Sequence, residues 1–222
     1  PAQANGKPQT TGSQQTTSST FNILNTEVFG FSNIFPGDNY GDDLVGGFKI
    51  EVGKTDTNQV LFNIKNNNTA NSFISQINFD DKKSSLSFNS FATSYNVGNV
   101  GFESNTKNLS QSNNIDNWVS SFGFKATSPG ANKAGVDQGE SLGILFDGKF
   151  EDVIASFKSG DVRVGMHVQG IGNGYSDAFY TKPSSIPSES TQPQEVPEPG
   201  TLFGLLTLGG MVFGKKVVNR NS

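Results

Sequence analysis

The single histidine, His167, is the one side chain able to serve as an acid or base near neutrality, in a chain that has no cysteine. Nucleophilic hydrolysis would need a hydroxyl and an orienting carboxylate beside it, and the sequence names neither. A hydrogen-bonded or solvent-facing structural histidine is the competing reading. Paired carboxylates for glycoside hydrolysis could come from Glu140, Asp147, Glu151 and Asp152. Glu151 and Asp152 equally suit the first turn of a helix, where negative charge complements the exposed amides. Asp38, Asp42 and Asp43, and again Asp80 and Asp81, carry the hard oxygens that calcium prefers. They lack EF-hand or nonapeptide spacing, and aspartates beside asparagine and glycine also make turns. Trp118, Tyr95, Tyr175 and Tyr180 could form a platform for sugar rings, with Trp118, Tyr175 and Tyr180 the chosen glycan candidates. Val119, Phe122 and Phe124 follow Trp118, so packing explains it as well. Gly170-Ile171-Gly172-Asn173-Gly174 alternates glycines after an apolar stretch. A phosphate loop must open a helix, and an aromatic, strand-like segment follows instead.

Composition removes whole classes of function. With no cysteine and one histidine, disulfide scaffolds, thiolate sites, redox dithiols and multi-histidine metal centres are excluded. Sixteen basic against twenty acidic residues give a net charge of −4, which argues against nucleic acid as a partner. Calcium is the one cofactor the residues suggest. The chain has 222 residues and 33% hydrophobic content, with 19 phenylalanines among its aromatics, enough for one core.

Side chains of this kind must be positioned by strands. Phe48, Ile50 and Val52 alternate with Lys49 and Glu51. Val60, Phe62 and Ile64 repeat the pattern, as do Phe73, Ile77 and Phe79. Shorter stretches are Phe29 with Phe31, Leu86 with Phe88, and Phe122 with Phe124. The clearest run sets Val162, Val164, Met166 and Val168 against Arg163, Gly165, His167 and Gln169. A period of two puts each set on one sheet face. Turns rich in Gly, Asn, Asp and Ser separate the runs, and polar loops are expected at 36–46, 92–117 and 126–138. One segment breaks the pattern: Phe150, Val153, Ile154 and Phe157 fall on one helical face. Acidic residues open it, Lys158 ends it, and Gly160 sits where a left-handed C-cap belongs. The prediction is an all-β fold: an antiparallel two-layer β-sandwich, jelly-roll or immunoglobulin-like. One short amphipathic helix near 150–159 packs over its end, and an apolar helix lies at the C-terminus.

Around this body, residues 1–20 have no large apolar side chain and read as a flexible arm. Ala2-Gln3-Ala4 has the small-x-small form that precedes a signal-peptidase cut. Residues 183–195 form a linker rich in proline and serine. In 196–222, Pro197-Glu198-Pro199 precedes the 14-residue uncharged run from Thr201 to Gly214, and Lys215 and Lys216 follow. As a helix that run would extend about 21 Å, short of a hydrocarbon core of about 30 Å.

This order of triplet, apolar segment and basic end resembles the sorting signal of PEP-CTERM proteins. Within the body, Gly139–Asp147, Phe150–Gly160 and Val162–Gly170 resemble a recurrent β-rich domain of such proteins for which no activity is assigned. The resemblance implies recognition at Pro197, Glu198, Pro199, Lys215 and Lys216 by an exosortase-type membrane enzyme. It also implies transient inner-membrane anchoring, cleavage near the triplet, and delivery to the cell surface or extracellular matrix. The expected function is structural and non-enzymatic. Three alternatives stand beside it. One is a module that binds extracellular polysaccharide. Another is a homo-oligomer or filament subunit in which a segment over 16–24 adds a strand to a neighbour. The last is a secreted hydrolase.

Overall fold

The computed structural model describes residues 21–37, 40–127 and 134–183. The expected arm over 1–20, Asp38, residues 184–195 of the linker, and the tail with Pro197, Glu198, Pro199, Lys215, Lys216 and its apolar helix lie outside the described residues. The alternating sequences become strands of two antiparallel sheets. The first holds β1 (Ile23–Gly30), β3 (Phe48–Thr55), β4 (Gln59–Asn66), β9 (Ser141–Asp147) and β6 (Ser87–Phe91), in that spatial order. The second holds β2 (Ser32–Asn33), β11 (Tyr175–Tyr180), β10 (Val162–Ile171), β5 (Phe73–Asp81), β8 (Phe122–Ala126) and β7 (Phe102–Ser104). Ile23 and Leu24, placed by the filament reading in a donated segment, are the start of the body's own edge strand β1.

Inward-facing residues of both sheets share one core in a β-sandwich-like arrangement. Phenylalanines span it: Phe62 meets Phe79 edge-on at 5.3 Å, Phe48 approaches Phe179 at 5.1 Å and Phe88 lies 4.8 Å from Phe124. Offset and edge-on contacts suit the ring quadrupole, and each fully buried phenylalanine contributes about 1.5–3 kcal/mol.

The expected face of β5 needs one correction. Phe73 does not share the buried face of Ile77 and Phe79; Ile74 does, being fully buried while Phe73 is half-buried. The cause is a bulge. His167 pairs with Gln76 but Val168 pairs with Ile74, leaving Ser75 as an extra residue. One additional residue reverses which side chains face inward.

Helix α1 (Phe150–Ser159) connects β9 of one sheet to β10 of the other, and Phe150, Val153, Ile154 and Phe157 enter the common core. Phe157 stacks on Phe29 at 4.8 Å. Gly160 ends the helix with φ of 79°, its N–H bonding Phe157 O while the Asp161 N–H bonds Ser156 O. These two bonds are the Schellman pattern.

Asn22 and Pro183 lie at one pole, while Phe21 packs over the outer face of the five-stranded sheet with Leu61, Leu145 and Tyr95. Asn22 bonds Asp56 in the turn between β3 and β4, while Pro183 lies against Gly160. The two sheets meet there: Ser87 and Gln59 both pair with Asp147, and Asp81 pairs with Val162. The β10–β11 hairpin lies at the opposite pole. Among the described residues, no helix is long and apolar enough to cross a membrane.

A Cβ on Gly160 would come within 2.5 Å of Pro183 Cγ as well as straining the left-handed backbone. Gly160→Ala should therefore cost about 1–2 kcal/mol, read as a lower urea midpoint with an unchanged slope.

Candidate functional site

The outer face of the six-stranded sheet is covered. Residues 105–121 fold across it, and Leu109, Ile115 and Trp118 form a second apolar cluster with Ile34 and Ala178. The close approach requires a glycine beneath: a Cβ on Gly165 would lie 2.3 Å from Leu109 Cδ2 and 3.0 Å from the Trp118 ring. Arg163, on the strand's polar side, is thereby buried, at 6% exposure. Its Nε donates to Asp80 Oδ2 at 2.9 Å and Nη2 donates to the same oxygen. Nη1 donates to Asp116 O and Nη2 to Asn117 O, both at 2.9 Å. Asn117 holds a φ of 52° in this turn, a conformation asparagine tolerates better than most residues. The guanidinium carbon is 5.4 Å from the Trp118 ring centroid, close enough for a cation–π contribution.

His167 follows two residues after Gly165 on the same face. The Ser75 bulge brings a hydroxyl to it: Ser75 Oγ donates to His167 O at 3.1 Å and stands 3.4 Å from Nδ1. No hydrogen bond joins the ring to a carboxylate among the described residues. The hydroxyl of the triad pattern is present, and among the described residues no acid is bonded to the ring to orient it. Burial depresses the imidazole below its ordinary 6.5.

The carboxylates named as candidates are dispersed, and most of those described hold a local structure. Asp81 accepts Ser85 Oγ at 2.9 Å and Leu86 N at 2.8 Å, fixing the turn into β6. Glu140 accepts the Asn99 N–H and the Asp137 N–H at 2.9 Å each. Asp137 beside it is pushed up from 3.8, by burial first and by Glu140 second. Asp147 accepts Gln59 Nε2 at 2.7 Å. Glu151 pairs with Lys54, whose hydrogen bond lowers its pKa, and Asp152 is exposed. Asp42 accepts Asn33 Nδ2 and Gly37 N, each at 2.7 Å, while Asp43 is exposed. The calcium expectation finds no support in clustering: no group of three or more acidic or histidine side chains placed to hold a metal occurs among the described residues.

The three aromatic candidates do not share one surface. Trp118 is 9% exposed, with its Nε1 donating to Asn108 Oδ1 and Ser120 Oγ at 3.1 Å each. Tyr180 packs against the same apolar cluster, and burial raises its hydroxyl against the opposing influence of Arg163. Tyr175 differs, being 46% exposed at the start of β11. Its ring stacks on Tyr40 at a centroid distance of 4.0 Å and an interplanar angle of 26°. Tyr40 was absent from the sequence candidates. Its setting between a run of Gly, Asp and Asn and the following Gly41 is the signal that marked it as a turn residue.

A buried polar layer fixes that turn. Asn33 Nδ2 donates to Asp177 Oδ2 at 2.6 Å as well as to Asp42, and Asp177 is fully buried. Asp177 Oδ1 accepts the Ala178 N–H at 2.8 Å. A Cβ on Gly41 would lie 2.4 Å from Asp177 Oδ2 and 2.7 Å from the Phe179 ring, so the chain passes where only glycine fits. On the other side of the pair, Gly172 and Gly174 have φ of 51° and 96° and form the β10–β11 turn. This is a hairpin and not the mouth of a phosphate-binding helix.

The described residues define a β-sandwich-like body whose six-stranded sheet is covered by residues 105–121, whose five-stranded sheet carries a smaller outer cluster of Phe21, Leu61, Ala92 and Leu145, and one pole of which displays stacked tyrosines. No family model matches the chain, and no curated protein or solved structure shows significant similarity to it.

Removing Arg163 leaves Asp80 as an uncompensated buried charge. Arg163→Met should cost about 3–5 kcal/mol, and hydrogen exchange should show residues 105–121 losing protection first. Neutral His167 is favoured by the fold, so the stability it supports is complete above 6.5 and is lost as pH falls through its depressed folded value. His167→Gln should therefore lose less stability than the parent between about pH 7 and pH 5, measured by denaturant midpoints at each pH.

Proposed function

We propose that the chain is an exported, non-catalytic protein of the cell surface or extracellular matrix, sorted through residues 196–222. The observation that carries this reading is the zone order of that segment: Pro197-Glu198-Pro199, then 14 uncharged residues from Thr201 to Gly214, then Lys215 and Lys216. A run too short for comfortable spanning, followed by lysines able to snorkel, suits an address that engages the membrane transiently and is then released. An exosortase-type enzyme is the proposed partner, and the lysines stay on the cytoplasmic side before cleavage. The body is consistent with export because its stability rests on a phenylalanine core with no cysteine, leaving nothing to mispair in an oxidising compartment. Glu140, Asp147 and Glu151, named as paired acids for hydrolysis, are engaged in separate local contacts. The two-sheet body is read as a sandwich of the jelly-roll or immunoglobulin-like kind.

Intact-mass measurement of the protein from its native cells tests this reading. A surface fraction with a mass ending near 196–199 is expected, and Pro197→Ala combined with Glu198→Ala should leave full-length protein in the membrane fraction. Full-length parent protein in the soluble cytoplasm would overturn it.

A further inference from the structure

We propose that the pole carrying Tyr40 and Tyr175 is a binding site for the pyranose ring of a neutral polysaccharide. Unlike the sorting proposal, this inference draws nothing from residues 196–222. Two separate segments supply the rings, and β2 pairing with β11 brings those segments together. The tyrosines stack at 4.0 Å yet remain 44% and 46% exposed. Phe35, in the same loop as Tyr40, is 54% exposed. Large apolar side chains left in water gain nothing from folding, and these are held in position by the Asn33, Asp42 and Asp177 layer and by Gly41. Aromatic groups that are rigid and exposed are pre-organised for a ligand, because little freedom is left to lose on binding.

The surroundings select the ligand. A sugar ring presents a flat C–H face, and lying on the stack it takes the place of a third ring. Its hydroxyls are donors, and the pole offers acceptors: Asp43 is exposed and Asp42 is half-buried on the turn that follows Tyr40. These carboxylates, with a chain charge of −4, repel uronic-acid and sulfated polymers. The two stacked tyrosines expose about 200 Å² together, far below the roughly 800 Å² per partner of a stable protein interface. That area suits one or two sugar units better than a second copy of the chain.

Depletion assays with the full chain test the site, using amorphous cellulose, chitin and starch granules as neutral probes. Alginate and phosphatidylcholine vesicles serve as contrasting surfaces. Retention on at least one neutral polymer is expected, competed by soluble oligomers of the same sugar. Tyr40→Ala and Tyr175→Ala should each weaken binding about tenfold, while Tyr175→Trp, which keeps the stack, should preserve it. Failure to bind any neutral polymer overturns the proposal, as does binding that survives both alanine variants or is lost in Tyr175→Trp. Retention only on alginate or vesicles also overturns it, as does sedimentation showing that the tyrosines mediate self-association alone.

Discussion

The buried pair of Asp80 and Arg163 holds the outer layer of the six-stranded sheet. Two apolar residues of similar volume would pack β5 against β10 as well, since removing charges from water costs about what their attraction returns. They would not hold the covering segment. Arg163 reaches past its carboxylate to the carbonyls of Asp116 and Asn117 and lies under Trp118. One guanidinium thus joins strand to strand and strand to loop, using donors in a fixed fork that lysine lacks. Trp118, Leu109 and the glycine below them follow from that anchorage.

The inner layer obeys a different constraint. It is apolar, spans both sheets, and relies on phenylalanine for volume. Helix α1 fits this core because the chain must cross from β9 to β10, and an amphipathic helix makes the crossing while burying four apolar side chains. Its ends are tied by ion pairs, Lys54 with Glu151 and Lys158 with Glu27. Ion pairs at a surface add little once solvent screening and side-chain entropy are counted, so the helix is held by its buried face. Glu27 on β1 also places an inward carboxylate on an edge strand, which discourages pairing with another chain.

What could be read from the sequence was whatever has a local period. The alternation from Val162 to Val168 and the helical face from Phe150 to Phe157 appear in the structure as read, and Gly160 caps the helix as its position implied. The Ser75 bulge was not legible, because one inserted residue leaves no mark in composition and shows only as a slip between β5 and β10. Arg163 and His167 fell on the polar side of their strand, as alternation requires. Arg163 is buried by a segment more than forty residues earlier, whose few apolar residues, Leu109 and Ile115, give no periodic signal. The tyrosine pair was half legible for the same reason: Tyr175 stands in a glycine-rich turn, but its neighbour Tyr40 is remote in sequence and is brought there by the β2–β11 pairing.

The placement of Asn22 and Pro183 at one pole has a mechanical consequence. Traction applied between these two residues pulls across β1 and β11 and not along them. Hydrogen bonds would then open one after another like a zipper, with no row of them sharing the load. Such a body is poorly suited to being a link in a tension-bearing cable. Held at either residue, the body presents its hairpin pole away from the point of load.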